Sequence, residues 1–146
     1  MKHATLYALI VSLLAPVFFA VASIMVIGLG TEYEGALFPV VSEARITSIE
    51  AYNGGSLVTV EFEKRRDCKY LGITWYRGTI GGQFERVNLD LRPQGIAPDG
   101  STRPTGTQSG GPWFVDLPPD EVTSNSFARI RHQCHPIYET TSIFYP

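Results

Sequence analysis

The sequence predicts an all-β fold, an antiparallel β-sandwich of about seven strands, preceded by one N-terminal transmembrane helix. Two observations support this prediction. The first is a run without any charged residue from Ala4 to Gly30, in which nearly every side chain is apolar or small. The second is composition: the chain holds 14 Gly and 10 Pro, its aromatic share is 12%, and helix-forming runs are absent after Gly30. That balance is typical of an all-β domain with many turns.

The apolar run is long enough to cross a bilayer. As a helix of about 27 residues it would measure about 40 Å, more than the hydrocarbon core of about 30 Å. Lys2 precedes the run, and the first charges after it are the acidic Glu32 and Glu34. Because basic residues favour the cytoplasmic flank, we expect a cytoplasmic N-terminus and an extracytoplasmic domain, either periplasmic or extracellular.

A cleaved signal peptide is the alternative interpretation of the same run. The small-x-small sequence at 20–22 would place a cut after Ala22. Residues 23–30 stay apolar beyond that point, which favours a retained anchor, and both interpretations export the domain. The predicted organisation is an anchor or signal peptide over residues 1–31, a tether over 32–44 and a β-sandwich over 45–146.

Strand candidates follow the tether at short intervals. Leu57 to Phe62 alternates apolar and polar side chains, as expected for a strand with one buried face. Asn53 to Gly55, just before it, is a strong hairpin turn signal. The predicted strands are 45–52, 57–62, 68–77, 84–91, 113–117, 127–134 and 140–145.

Arg92 to Pro112 is predicted to be a long loop, because it is rich in proline and glycine and poor in apolar residues. Loops of this length are uncommon in compact domains unless they are functional or disordered. We therefore expect partner contacts in this loop and in the shorter loops Lys64–Asp67 and His135–Glu139. The candidate contact residues are Lys64, Arg65, Arg66, Trp113 and Tyr138.

The order of three features resembles an immunoglobulin-like domain: Cys68, then Trp75, then Cys134 on the penultimate strand before a closing hairpin. The resemblance implies two packed antiparallel sheets. Cys68 departs from the family's pattern, because it begins the Trp75 strand and does not lie on the strand before it. A bridge from Cys68 would therefore lie at the rim of a sheet and not cross the core.

Two cysteines in an exported domain favour a disulfide, Cys68–Cys134. The alternative is a zinc site formed by Cys68, His132, Cys134 and His135. Structural zinc sites usually show paired short spacings, and Cys68 has no nearby partner ligand in the sequence. The sequence therefore favours the disulfide and predicts no metal and no other cofactor.

Charge and motifs exclude several function classes. The segment after residue 31 holds all 14 acidic residues and 11 of the 12 basic ones, a formal charge of −3 that offers no general electrostatic attraction for nucleic acid. Gly106–Pro112 resembles the nucleophile segment of trypsin-like serine proteases. Gln108 stands where that family has Asp, the family needs two β-barrels, and the domain's histidines follow the segment. A Gly-rich turn is favoured, and the protein is predicted not to be an enzyme.

The anchor together with Arg65–Cys68, Gly111–Trp113 and Cys134–Pro136 resembles small single-span membrane proteins of tailed phages and prophages. That grouping implies no specific activity. The predicted function is a membrane-anchored extracytoplasmic binding or structural module with a protein or envelope partner. One alternative is a small extracytoplasmic hydrolase acting on envelope polymer, and another is a phage-encoded envelope-disrupting or superinfection-interference factor. The residues considered for the hydrolase are Asp90, Asp116 and His132.

Overall fold

A computed structural model describes the backbone of residues 2–91 and 102–146 and the side chains of residues 11–25, 33–91 and 102–146. Within these ranges, two helices and eight strands are present. They are α1 (Lys2–Leu37), β1 (Arg45–Tyr52), β2 (Gly55–Lys64), β3 (Lys69–Gly78), β4 (Phe84–Val87), β5 (Leu89–Asp90), β6 (Gly106–Val115), α2 (Pro119–Ser124), β7 (Ser126–Gln133) and β8 (Thr140–Tyr145).

The strands form two four-stranded sheets, with the orders β1-β2-β6-β5 (sheet A) and β4-β3-β7-β8 (sheet B). Every neighbouring pair is antiparallel. The predicted two-sheet antiparallel architecture is therefore confirmed. Its core includes Val58, Val60, Trp75, Val115, Ile130 and Phe144. Val58 and Val60 lie on the face of strand 57–62 that the alternating pattern predicts to be buried.

The segment predicted as one strand over 84–91 is two strands in different sheets. β4 pairs with β3 in sheet B, and β5 pairs with β6 in sheet A. Asn88 lies between them, and Val87 and Leu89 on either side both pack on the core. Alternation alone cannot reveal this crossing, because both sheets present their inner faces to the same core.

The prediction that Arg92–Pro112 is one loop is wrong in its second part, and its first ten residues, 92–101, lie outside the described residues. Gly106–Pro112 belongs to β6, which pairs with β2 from Lys64↔Gly106 to Ser56↔Val115. Position 111 requires a glycine for two reasons. Its φ is +104°, and a Cβ there would collide with the Val58 carbonyl of the neighbouring strand. The register shifts there, between Val58 and Val60.

Helix α1 continues six residues past residue 31, into the segment predicted as a tether. The described side chains between Val11 and Met25 are mostly exposed and apolar. Within the described residues, the structure contains no helix that is both long and apolar enough to cross a membrane.

A candidate functional site at the junction of helix and sandwich

One end of the sandwich, here called the α1 end, receives helix α1. Lys64 at the end of β2 pairs with Gly106 and forms a bridge with Val41 of the incoming chain. At the same end, β3 begins opposite the end of β7. The α1 end therefore consists of the β2–β3 loop (residues 65–68), the β7–β8 loop (134–139) and residues 102–105, where two of the three predicted contact loops and part of the third come together.

The carboxylate of Glu34 links α1 to both of those loops and to β8. Its Oε1 lies 2.8 Å from Arg66 Nη2 and 3.0 Å from His135 Nε2. Its Oε2 accepts a hydrogen bond of 2.8 Å from Thr140 Oγ1. Arg66 also donates from Nη1 to the carbonyl of Phe38, at 3.0 Å. The Glu34 side chain is only 13% exposed, so this is a largely desolvated, fully partnered carboxylate.

Burial by itself raises the pKa of the Glu34 carboxyl. The hydrogen bonds, from Thr140 first and then from Arg66 and His135, outweigh burial and hold its pKa below the usual value. A carboxylate with a lowered folded pKa stabilises the fold above its ordinary pKa of about 4.3, and the contribution is lost as pH falls through the folded value. The junction therefore depends on an ionised Glu34.

The chain after Glu34 is packed tightly on the sandwich. A Cβ on Gly35 would collide with the backbone carbonyl of Thr141 in β8. Val40 and Val41 are fully buried, and Ala44 donates its N–H to the Phe144 carbonyl at 2.6 Å. Helix, tether and sandwich therefore form one packed unit.

Lys64, predicted to be a surface contact, is instead buried: its side chain is 3% exposed. Its ammonium donates to the carbonyl of Cys68 at 3.1 Å and to the carbonyl of Arg103, and Asp67 Oδ1 lies 3.9 Å away. Burial lowers the pKa of Lys64, and the charge of Asp67 opposes that effect. Lys64 therefore connects β2 with the β2–β3 loop and with residues 102–105, and its ammonium is not available to a partner.

His132 lies beside Lys64 against a small internal cavity of about 30 Å³. The residue is 2% exposed, and its ring packs edge-on against Tyr70 with centroids 6.0 Å apart. Burial, together with the charge of Lys64, lowers the pKa of His132 to about 4. Its Nδ1 has no hydrogen-bond partner among the described residues. His132 is therefore neutral in the fold at neutral pH and enclosed.

The predicted disulfide is confirmed: Cys68 and Cys134 are bonded, with their Cα atoms 4.7 Å apart. It joins the β2–β3 and β7–β8 loops beside two neighbouring strands of sheet B, so it lies at a sheet rim as its place in the sequence implied. Because both sulfurs are used in this bond, the alternative zinc set with His132 and His135 does not form. No metal-binding cluster occurs among the described residues.

The remaining predicted contact residues divide between core and surface. Trp113 is 5% exposed and packs near Phe144, which corrects the expectation that it contacts a partner. Arg65 is half-exposed, 3.5 Å from Glu63, and Tyr138 stacks on His135 with centroids 4.7 Å apart. Only Arg65, Arg66 and Tyr138 thus remain accessible in part.

The residues considered for a hydrolase are not brought together. Asp90 and Asp116 are exposed and lie near the end of β6 that pairs with the start of β2. His132 is buried at the α1 end, opposite the start of β8. These positions are separated by most of the length of the sheet, so they do not form one catalytic cleft.

Sequence reasoning missed two parts of this site. Glu34 entered only as a flanking charge, because two of its three partners, His135 and Thr140, lie more than a hundred residues away in the sequence. Three exposed apolar side chains at this end were also missed: Leu37 is 69%, Phe38 66% and Ile137 75% exposed, and they accompany Tyr33, which is 62% exposed. The sequence does carry a signal for these exposed side chains, because apolar residues stand at the end of a helix and in a Pro-containing loop.

Comparisons with models of protein families, with curated proteins and with solved structures found no match.

Proposed function

We propose that the protein is a membrane-anchored β-sandwich on the extracytoplasmic side, acting as a non-catalytic binding or structural module with a protein or envelope partner. The observation that carries this proposal is the form of α1, a single helix from Lys2 to Leu37 that enters the sandwich without a break.

The described outer part of α1 is apolar on all sides. Its exposed large apolar residues, 46–71% exposed, are Val11, Leu13, Leu14, Val17, Phe18, Phe19, Val21, Ile24 and Met25. The hydroxyl of Ser23 donates to the Phe19 carbonyl at 2.7 Å, so this polar group needs no water. A helix that is apolar all round is normally covered, either by a protein core or by lipid. A bilayer is the covering that fits the charge-free sequence.

The junction supports a module held in a fixed position. Glu34, Gly35 and the buried Val40 and Val41 fasten α1 to the sandwich, so the domain cannot swing freely about its anchor. An anchor joined rigidly in this way suits a domain that presents a surface at a defined distance from the membrane.

The disulfide supports the extracytoplasmic location. Structural disulfides persist in oxidising compartments and are rare in the cytosol. Cys68–Cys134 closes a long segment at the α1 end, and in the chain-entropy model a loop of this size contributes about 4 kcal/mol.

The strand orders support an immunoglobulin-like type of sandwich as part of the proposal. Sheet A, β1-β2-β6-β5, follows the A-B-E-D order, and β3-β7-β8 of sheet B follows C-F-G, with β4 added at the edge. Trp75, fully buried on β3, occupies the strand on which such domains carry their core Trp. The disulfide within one sheet is the departure.

Alkaline carbonate extraction of membranes from cells that express the full chain tests the anchor. We expect the protein to stay in the membrane pellet at full-length mass, and externally added protease to digest the sandwich in spheroplasts. Release by carbonate, or a mass that begins at Ser23, contradicts the anchor. Protection from protease contradicts the orientation.

A further inference from the structure

We propose that the α1 end of the sandwich rests on the same membrane that α1 enters, with four apolar side chains in or directly beside the headgroup layer. These four residues, the apolar rim, are Tyr33, Leu37, Phe38 and Ile137. The inference rests on the proposed membrane anchor and adds a second, peripheral contact between domain and lipid.

The rim residues belong to two segments that are held together at the same end of the sandwich. Tyr33, Leu37 and Phe38 belong to the last turns of α1 and the residue after it. Arg66 donates to the Phe38 carbonyl and pairs with Glu34, which in turn contacts His135, two residues before Ile137. This network holds the Ile137 loop beside the end of the helix.

Tyr33 and the Ile137 loop lie at the height of the interfacial layer, and Leu37 and Phe38, about 10–12 Å beyond Gly30, lie directly beside it. Glu34, at the level of the Ile137 loop, is four residues beyond Gly30, which corresponds to about 6 Å along a helix. A bilayer of about 40–45 Å with a hydrocarbon core of about 30 Å has an interfacial layer of about 5–7 Å on each side. A charge-free run of about 40 Å fits the core when the helix is tilted, and with Gly30 then at the edge of the core the loop lies within that layer, where aromatic and aliphatic side chains are favourable.

The charges beside the rim are of mixed sign. Arg65 is paired with Glu63, and Asp67 is 87% exposed. The attraction is therefore apolar, and we expect it to be independent of the content of anionic lipid. Among the described residues at this end, the charges form no patch of one sign that a charged partner would recognise.

The opposite end of the sandwich provides a matched control. Ile80, 50% exposed, lies in the turn between β3 and β4. Gly78, which precedes this turn, donates its N–H to the carbonyl of Asn125 just before β7, so the turn lies at the far end from α1. Ile80 is thus an exposed isoleucine in a loop with no route to the bilayer.

The test uses full-length protein in vesicles of phosphatidylcholine with brominated acyl chains, and the variants Ile137→Trp and Ile80→Trp. The native Trp75 and Trp113 are buried and supply a constant background. We expect the added fluorescence of Ile137→Trp to be blue-shifted and partly quenched by the bromine, equally with and without phosphatidylglycerol. The fluorescence that Ile80→Trp adds to the wild-type signal should be the same in brominated and in unbrominated lipid.

Equal, unquenched emission from both variants in protein that still floats with the vesicles overturns the inference and leaves the anchor standing. Protein that does not float with the vesicles overturns the anchor and this inference together. Quenching that appears only with phosphatidylglycerol contradicts the apolar contact.

Discussion

Glu34 connects α1 with Arg66, His135 and Thr140, three positions on separate parts of the sandwich. Each bond is made to an ionised, mostly buried oxygen, and hydrogen bonds to charged groups are the stronger ones in proteins. At the residue scale, this one carboxylate links the helix to three parts of the sandwich.

We expect Glu34→Gln to destabilise the junction by about 2 kcal/mol, since it removes the charge but keeps the shape. Amide hydrogen exchange over residues 35–44 in detergent micelles measures this as faster exchange. Glu43→Gln is the control, because Glu43 is exposed. Equal exchange in both variants would show that α1 is held by apolar packing alone.

His132 makes stability depend on pH. Its folded pKa of about 4 lies below the unfolded value of about 6.5, so the unfolded chain binds the extra proton first. Stability is therefore full above pH 6.5 and falls by up to about 3 kcal/mol as pH drops to 4. Urea unfolding, monitored by tryptophan fluorescence, measures the slope of stability against pH between pH 7 and 5. This window lies above the range in which Glu34 titrates.

In His132→Leu the slope between pH 7 and 5 should disappear, because the titrating ring is gone. His3→Gln provides the comparison, since it removes a histidine from the N-terminal segment and leaves the sandwich unchanged. A slope unchanged in His132→Leu would mean that another group causes the acid sensitivity.

At the scale of elements, β6 depends on its glycines. Gly111 has φ +104°, and a Cβ there would press on the backbone of Val58 and Thr59 in β2. We expect Gly111→Ala to cost at least about 2 kcal/mol from backbone strain and steric conflict. Urea unfolding of the full chain measures the loss.

Gly54→Ala is the matched control for that substitution. Gly54, in the β1–β2 turn, also has positive φ, +83°, but a Cβ added to it would have no other atom within 4 Å. Its cost should be about 1 kcal/mol, from backbone conformation alone. Equal losses in the two variants would show that β6 can move away from β2 without penalty.

The disulfide is a second device at this scale, because it joins the two loops that also carry Arg66 and His135. We expect the double variant Cys68→Ser, Cys134→Ser to lose about 4 kcal/mol in the chain-entropy model. The urea midpoint of wild-type protein with reductant should fall to that of the double variant. A midpoint insensitive to reductant would show that the loops are held without the bond.

At the scale of the whole molecule, the anchor is tested by adding charge to α1. Arginine at the centre of a membrane helix costs about 3 kcal/mol per residue. The triple variant Leu14→Arg, Phe18→Arg, Val21→Arg should therefore leave the membrane fraction under alkaline carbonate, whereas Leu14→Ile, Phe18→Leu, Val21→Leu should remain. Retention of the arginine variant would contradict insertion of α1 in lipid.

The sequence alone determined the local features of this protein. Strands 45–52 and 140–145 coincide with β1 and β8. The Asn53–Gly55 turn signal marks the end of the first, and the second alternates in burial with a period of two. Two cysteines allow a single intramolecular pairing, so the Cys68–Cys134 bond could be predicted without a fold. The sheet architecture followed from the number of strands and their spacing.

Only the tertiary structure decided the features that depend on distant partners. Gly106–Pro112 is a strand because β2 lies beside it, and a glycine-rich composition favours a loop only when no such neighbour exists. Lys64 is buried because backbone carbonyls of Cys68 and Arg103 replace its water. Glu34 became the junction because the fold brings Thr140 to it from across the chain, and no local pattern records such a contact.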